Sequence, residues 1–301
     1  MRRLPVKLRE QFEGFPPEWW NGVQELRLRA GSPIYVKTAK QRGFLDRGTL
    51  VSSARGAFLL SAELLRETFL SLCADSVQRI EEELKRGFFS MEGGHRIGVY
   101  GEVITRQGEV LGFSSQSSLV LRVAHEVPGS ANAILQRCCQ RTLPSVLLYG
   151  LPGSGKTTLL RDFAAELSAG CTGRPFQVAV LDERGELAAL SNGRAQFALG
   201  PCTDVYSLCP KALALEMALR AGAPELMVCD ELGGEEDLPF LLSGMAAGVA
   251  VAASAHAASF DGLLRRPALR RLYDAAIFDW YILLSEGRPV EFRDEKGRVV
   301  A

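Results

Sequence analysis

The rhythm of apolar positions changes part-way along this chain. Up to about residue 125, apolar residues come in short alternating pieces cut by glycines, with two helical stretches among them. In "VQELRLRAGSPIYVKT", strand-like pieces flank the break at Gly31-Ser32-Pro33. "SAELLRETFLSLC" repeats Leu64, Leu65, Phe69 and Leu72 at helical spacing. Asp75 with Gln78 has the form of a capping box opening "SVQRIEEELKRG", and Gly87 is the expected stop. "FFSMEGGHRIGVYGEVITRQGEVLGF" predicts β structure hinged on glycines, with a turn at Gln107-Gly108. "SLVLRVAHEV" predicts one more strand.

From Val127-Pro128-Gly129 onward the pattern is different. "ANAILQRCCQ" predicts a helix. After it, continuous apolar strands over 145–149, 177–182, 225–230, 249–254 and 277–284 alternate with helices over 156–168, 210–221, 236–246 and 259–273. Short apolar strands between helices imply a parallel sheet covered on both faces. The expected fold class is therefore α/β: a smaller α+β domain over 1–128, then a domain with a mostly parallel sheet over 129–301, the break falling within 126–130. The uncharged run "LPFLLSGMAAGVAVAASA", 238–255, is long enough to test as a membrane span. Its early proline and glycine-broken middle predict a helix, a turn at Gly248 and a buried strand. The N-terminus lacks the apolar core of a signal peptide. A soluble chain with no membrane span of its own is expected.

Composition narrows the chemistry. Lys+Arg and Asp+Glu both total 35, so the formal net charge is zero, which argues against bulk attraction to nucleic acid or an anionic membrane. None of the seven cysteines forms a C-x-x-C pair and there are three histidines, which argues against zinc. Buried thiols in a reducing compartment are expected.

"GLPGSGKTT" lies between the apolar run "PSVLLY" and the helical "LLRDFAAEL". It fits G-x-x-x-x-G-K-[ST] through Gly150, Gly155, Lys156 and Thr157, with Pro152, Gly153, Ser154 and Thr158 completing the loop. Glycines let backbone N–H groups face a phosphate, and the following helix points its positive end at the same anion. Lys156 is the expected partner of the β/γ oxygens, and the Thr157 hydroxyl the expected Mg²⁺ ligand. ATP with Mg²⁺ is the expected pair of ligands.

Hydrolysis also needs carboxylates. "ELMVCDE" ends an apolar strand on Asp230, expected to hold the magnesium shell through water, and Glu231, expected to orient or deprotonate the attacking water. "VAVLDERGEL" ends another strand on Asp182, Glu183 and Glu186. Ligands collect at the carboxyl ends of parallel strands, so these acids are expected at the same crevice. Arg184 is placed to pair them or to reach a neighbouring subunit. "AASAHAAS" puts Ser254 and His256 at a further strand end, where a polar side chain can sense the γ-phosphate. Arg265, Arg266, Arg270 and Arg271 in "LLRRPALRR" stay open between solvated and functional.

The chain has no N-K-x-D base reader, no L-S-G-G-Q signature ahead of the Asp-Glu strand and no arginine-rich lid. What remains is an ATPase of the RecA class, whose sites lie between subunits where an arginine in trans can reach the phosphoryl group.

Several blocks carry a family resemblance. "GSGKTTLLRDFA", "VLDERGEL", "CPKALALEMALRAGAPELMVCDELGGEED" and "AAGVAVAASAHA" resemble the stage III sporulation protein AA family, and so do "ELRLRAGSPIYV", "GFFSMEGGHRIGVYGEV" and "LRVAHEVPG" nearer the N-terminus. The likeness runs over about residues 24–285. That family is similar to type II and type IV secretion and pilus ATPases, hexamers with an N-terminal domain joined to a RecA-like domain. The resemblance implies that Asp182, Glu183 and Glu186 form an acidic box beside metal and water, that His256 stands in a histidine box, and that Asp230 and Glu231 end the second acidic strand. Gly233-Gly234 replace an arginine common in the relatives. Arg96 and Arg122 are the candidates for N-terminal arginines that reach bound nucleotide. The resemblance further implies a homo-hexamer acting with integral membrane proteins of a sporulation channel, cytoplasmic and peripheral to the membrane on the mother-cell side. Two alternatives stay open: a nucleic-acid-binding ATPase, and a nucleotide-dependent scaffold with little turnover.

Overall fold

The computed structural model describes residues 3–73, 77–140, 142–191 and 193–300. The chain divides into two compact units, Met1–His125 and Glu126–Ala301.

The first unit runs α1 (Val6–Glu10), β1 (Val23–Arg29), β2 (Ser32–Pro33), β3 (Tyr35–Thr38), β4 (Arg42–Asp46), β5 (Thr49–Val51), β6 (Leu59–Leu60), α2 (Ala62–Cys73), α3 (Val77–Leu84), β7 (Phe88–Met91), β8 (His95–Arg106) and β9 (Glu109–Arg122). Its main sheet has the order β5-β4-β3-β1-β9-β8-β7, with antiparallel neighbours throughout. Alternation sends Leu26 and Leu28 of β1, Ile97 and Val99 of β8, and Leu119 and Leu121 of β9 to one face. There they meet Leu64, Leu65 and Leu72 of α2, with Phe69 half-buried beside them. Gln107 (φ 53°) and Gly108 (φ 84°) form the expected turn, a two-residue link whose positive φ values match the twist of the flanking strands.

Two local expectations are corrected. The strand expected over "SLVLRVAHEV" is the last part of β9, which starts at Glu109. The helix expected to stop at Gly87 stops at Leu84, and Gly87 (φ 81°) sits in the turn that follows. The expected capping box falls on Asp75 and the Gln78 side chain, which lie outside the described residues.

The second unit runs α4 (Asn132–Cys138), β10 (Val146–Gly150), α5 (Lys156–Ala169), β11 (Val178–Asp182), β12 (Thr203–Ser207), α6 (Lys211–Ala221), β13 (Leu226–Cys229), α7 (Asp237–Ala246), β14 (Ala250–His256), α8 (Phe260–Leu264), α9 (Pro267–Asp274), β15 (Trp280–Ser285) and β16 (Arg288–Arg293). Its sheet has the order β12-β11-β13-β14-β10-β15-β16, parallel except for the last strand. Burial on both faces explains the unbroken apolar runs. Leu147 and Tyr149 of β10 enter one core with α6, α7, α8 and α9, while Val146 and Leu148 enter the other with α4 and α5. The 238–255 run divides as expected into α7, a turn at Gly248 (φ 77°) and β14. No helix among the described residues is long and apolar enough to cross a membrane.

The unit opens on Glu126, whose carboxylate accepts the Ala198 N–H at 2.5 Å. Asp162 of α5 then takes the N–H groups of Gly129 and Ala131, which ties the incoming chain to the helix behind the phosphate loop.

Three elements differ from the expected pattern. The helix over 259–273 is two, because Arg266 precedes a proline and takes an extended conformation (φ −84°, ψ 119°) that lets Pro267 open α9. Strands β12 and β16 carry polar, partly exposed residues at the two edges of the sheet, so they lack the apolar signature of its centre.

Phe163 of α5 is fully buried against the core beneath the loop. Phe163→Ala should cost about 3–5 kcal/mol of unfolding free energy, read as a lower urea midpoint for the second unit. A midpoint equal to wild type would refute that packing.

Candidate functional site

The phosphate loop leaves the end of β10 and enters α5. Gly153 (φ 77°) and Gly155 (φ 89°) take the left-handed conformation that the sequence pattern requires. Gly155 is also fixed by contact: a Cβ there would lie 2.8 Å from the Gly287 Cα, in the turn between β15 and β16. The Gly287 N–H donates to the Ser154 carbonyl at 3.0 Å. That hairpin brace is a feature the sequence reading missed, because it lies 132 positions further along than Gly155. Pro152 lies at the exposed crest of the loop and Thr158 in the first turn of α5.

Parallel pairing brings the other strand ends to this loop. Gly150 stands opposite His256 in the register of β10 and β14. Lys156 is buried at 5% exposure, and its ammonium donates to the carbonyls of Gly150 (3.1 Å) and Leu151 (3.0 Å). Its third neighbour is His256 Nδ1 at 3.2 Å. An ammonium can only donate, so Nδ1 accepts and the proton sits on Nε2. Nε2 then donates to Glu231 Oε1 at 2.8 Å. Lys156, His256 and Glu231 thus form one hydrogen-bonded row. Burial pushes the Lys156 ammonium below the ordinary lysine range, partly offset by Asp230. Burial first, and the Lys156 charge second, push His256 below its usual 6.5.

Thr157 donates its hydroxyl to Asp230 Oδ2 at 2.5 Å. The other Asp230 oxygen accepts from the Ser254 hydroxyl and from the Glu231 N–H (2.9 Å). Ser254, expected to face a γ-phosphate, is fully buried and braces Asp230 instead. Arg184, expected to pair with Asp182, Glu183 or Glu186, pairs instead with Glu231 at the end of β13.

The acidic box divides. Asp182 is 2% exposed, and its two oxygens accept the N–H groups of Glu186, Leu187, Ala188 and Ala189. With both oxygens taken up by backbone, Asp182 holds the loop after β11 rather than standing beside metal and water. Glu183 is half-exposed, with an oxygen 3.7 Å from the Lys211 ammonium. Glu186 offers its carbonyl to Arg161 at 3.2 Å, and Arg161 stacks on Phe197. Among the four later arginines, Arg266 is singled out. It donates to the His256 carbonyl at 3.0 Å, and a Cβ on Gly233 would lie 2.3 Å from its Nη2. Arg270 and Arg271 pair on the surface with Asp274 and Glu235.

Arg96 and Arg122 belong to the first unit, where they stand opposite each other in β8 and β9. The Arg96 guanidinium lies over the Phe88 ring at 3.7 Å, and Arg122 lies 3.9 Å from Glu25.

The donor set suits a magnesium-bound phosphate. Thr157 and Asp230 present hard oxygens side by side. Ser154 Oγ is buried and meets no hydrogen-bond partner among the described residues. Two left-handed glycines open the loop's amides above the start of α5.

Solved structures share the fold of this chain. The X-ray structure of the Legionella pneumophila ATPase DotB aligns with a TM-score of 0.64 at 17% identity, covering 97% of this chain and 81% of that one. The pilus retraction motor PilT, crystallised with ADP, gives 0.59 at 18% identity over 95% and 80%. The fold is thus that of the secretion and pilus ATPases, a RecA-like α/β unit following a smaller α+β one. The family described as "Sporulation stage III, protein AA" matches residues 4–300, and the chain belongs to it. It is 35% identical over 303 residues to stage III sporulation protein AA of Bacillus subtilis (strain 168), covering 99% of this chain and 95% of that protein.

The row through His256 has a pH signature. Its folded pKa lies below the unfolded value, so the unfolded chain takes up the proton first as pH falls. Stability is unaffected well above 6.5 and declines as pH drops from there through the folded pKa. Melting temperatures of wild type and His256→Asn, followed by fluorimetry from pH 8 to pH 5, should therefore diverge on the acid side, wild type falling faster. Parallel curves would overturn the assignment.

Proposed function

We propose that the second unit binds and hydrolyses ATP with Mg²⁺, and that the chain works as the motor of a sporulation-associated, secretion-like membrane channel complex. The observation that carries this reading is the convergence of Lys156, Thr157, Asp230, Glu231 and His256 on one loop at the carboxyl ends of three parallel strands.

Thr157 and Asp230 are the residues that would hold Mg²⁺, Asp230 through water. When bound, the metal would supply neutralisation of the charge on the phosphates. The chain's own groups do the rest. Amides of Gly153, Ser154 and Gly155, with the start of α5, bind the phosphates. Lys156 has bonds to its own loop carbonyls that phosphate oxygens can take over. If Lys156 turns to phosphate, His256 Nδ1 loses its donor and the imidazole is free to reorient. That motion reaches Glu231, the group best placed to orient water or accept its proton. Glu183 reaches the same turn through Lys211, and Arg184 pairs with the Glu231 carboxylate. Arg96 and Arg122 are the candidate nucleotide contacts from the first unit. A homo-hexamer placed against integral membrane proteins, on the cytoplasmic face in the mother cell, fits a chain with no membrane-crossing helix among its described residues.

One observation favours a scaffold that turns over slowly. The Glu231 carboxylate is engaged by both Arg184 and His256. Single-turnover kinetics separate the two readings, a scaffold showing tight binding and a very slow chemical step.

Lys156→Ala and Glu231→Gln should each lower the ATPase rate roughly 10²-fold, since one lost transition-state contact is worth about 3 kcal/mol. Unchanged rates in both variants would remove the reading. Light scattering with and without ATP and Mg²⁺ should show a mass increase to six copies, and a mass that stays monomeric would remove the hexamer.

A further inference from the structure

The turn that carries Glu231 is held by a buried ion pair that belongs to neither the phosphate loop nor the acidic strand ends. Glu231 has φ 51°, a left-handed conformation uncommon outside glycine. A backbone in that region persists only where its surroundings hold it. The Lys211 ammonium donates to the Glu231 carbonyl at 3.0 Å and lies 3.1 Å from Asp237 Oδ1. Asp237 Oδ2 accepts the N–H groups of Gly233 (2.6 Å) and Gly234 (2.9 Å). The Glu231 carbonyl thus answers to one lysine and the Gly233 and Gly234 amides to one aspartate, while the Leu232 N–H between them donates to the Ser254 carbonyl at 2.7 Å. Both side chains are largely removed from solvent, at 11% and 2% exposure.

The placement of Lys211 is costly for its own helix. It is the first residue of α6, where the helix dipole disfavours a cation, and it is desolvated there. A lysine at such a place has no local benefit. Its compensation comes from the Glu231 carbonyl, Asp237 and, at 3.7 Å, the Glu183 carboxylate. Asp237 is favourably placed in the first turn of α7, but a cap alone would not need a buried cation beside it.

The geometry points to Lys211 and Asp237 as positioning residues: a buried pair that fixes the backbone of Glu231–Gly234 and so aims the Glu231 carboxylate at His256 and the reacting water. Through Glu183, the same lysine links the loop after β11 to the turn after β13. The inference rests on the proposed ATPase reading for its catalytic consequence, and on geometry alone for its structural one.

The experiment uses the full-length protein with Lys211→Met, Lys211→Arg, Asp237→Asn and the double variant Lys211→Met/Asp237→Leu. Removing one partner leaves a buried charge unpaired, which can prevent folding; the double variant removes both charges and keeps the test decisive. Amide hydrogen exchange over residues 229–237 is read first, with the rest of the second unit as internal control. Lys211→Met, Asp237→Asn and the double variant should exchange faster in this segment alone. Steady-state kinetics and binding of a fluorescent ADP are read next. kcat should fall roughly 10- to 100-fold, as for a displaced catalytic group, while KM for ATP and ADP affinity stay within about twofold. Lys211→Arg should restore much of kcat. Unchanged exchange in the foldable variants would overturn the positioning role. A higher KM with unchanged kcat would also overturn it, since that marks loss of uniform binding. If wild type hydrolyses no ATP, the proposed function fails, and the exchange arm still decides the inference.

Discussion

The parallel pairing of β10 with β14, with Gly150 opposite His256, is the constraint on which the site depends. It puts the phosphate loop and the histidine at one tip of the sheet, and β13 on the far side of β14 brings Asp230 and Glu231 to the same tip. A slip of one residue would exchange the faces of β10, sending Leu147 and Tyr149 into the core now filled by Val146 and Leu148. Two well-filled cores thus protect the register, and the register protects the chemistry.

Charge is concentrated at this tip, and each charge is answered. Lys156 meets carbonyls and an imidazole, Asp230 meets two hydroxyls and an amide, Glu231 meets Arg184 and His256, and Asp237 meets Lys211 and two amides. Buried polar groups are tolerable only in such a satisfied state, because a charge left alone in a low-dielectric interior is strongly unfavourable. The arrangement also couples groups that a substrate would touch at different places. A change at Lys156 is felt at His256 and then at Glu231, through bonds of 3.2 Å and 2.8 Å.

Glycine has a different task at each end of the site. At Gly155 the backbone needs both a left-handed φ and room for the hairpin turn at Gly287. At Gly233 the missing side chain leaves space for the Arg266 guanidinium, which reaches the His256 carbonyl from the start of α9.

Much of this was legible in the amino acids. A left-handed glycine loop between an apolar strand and a helix has a local signature, as do continuous apolar strands and the acids that end them. These features report backbone period and φ, which neighbouring residues set among themselves. The roles within the site were not legible in the same way. Asp182 and Asp230 read alike as acids ending apolar strands, yet one is saturated by four loop amides and the other faces Thr157. Nothing local distinguishes Lys211 and Asp237 from a surface lysine and a helix cap. Only the tertiary structure decided these matters, because strand order places β13 and β14 between β11 and β10 and so chooses which distant side chains meet.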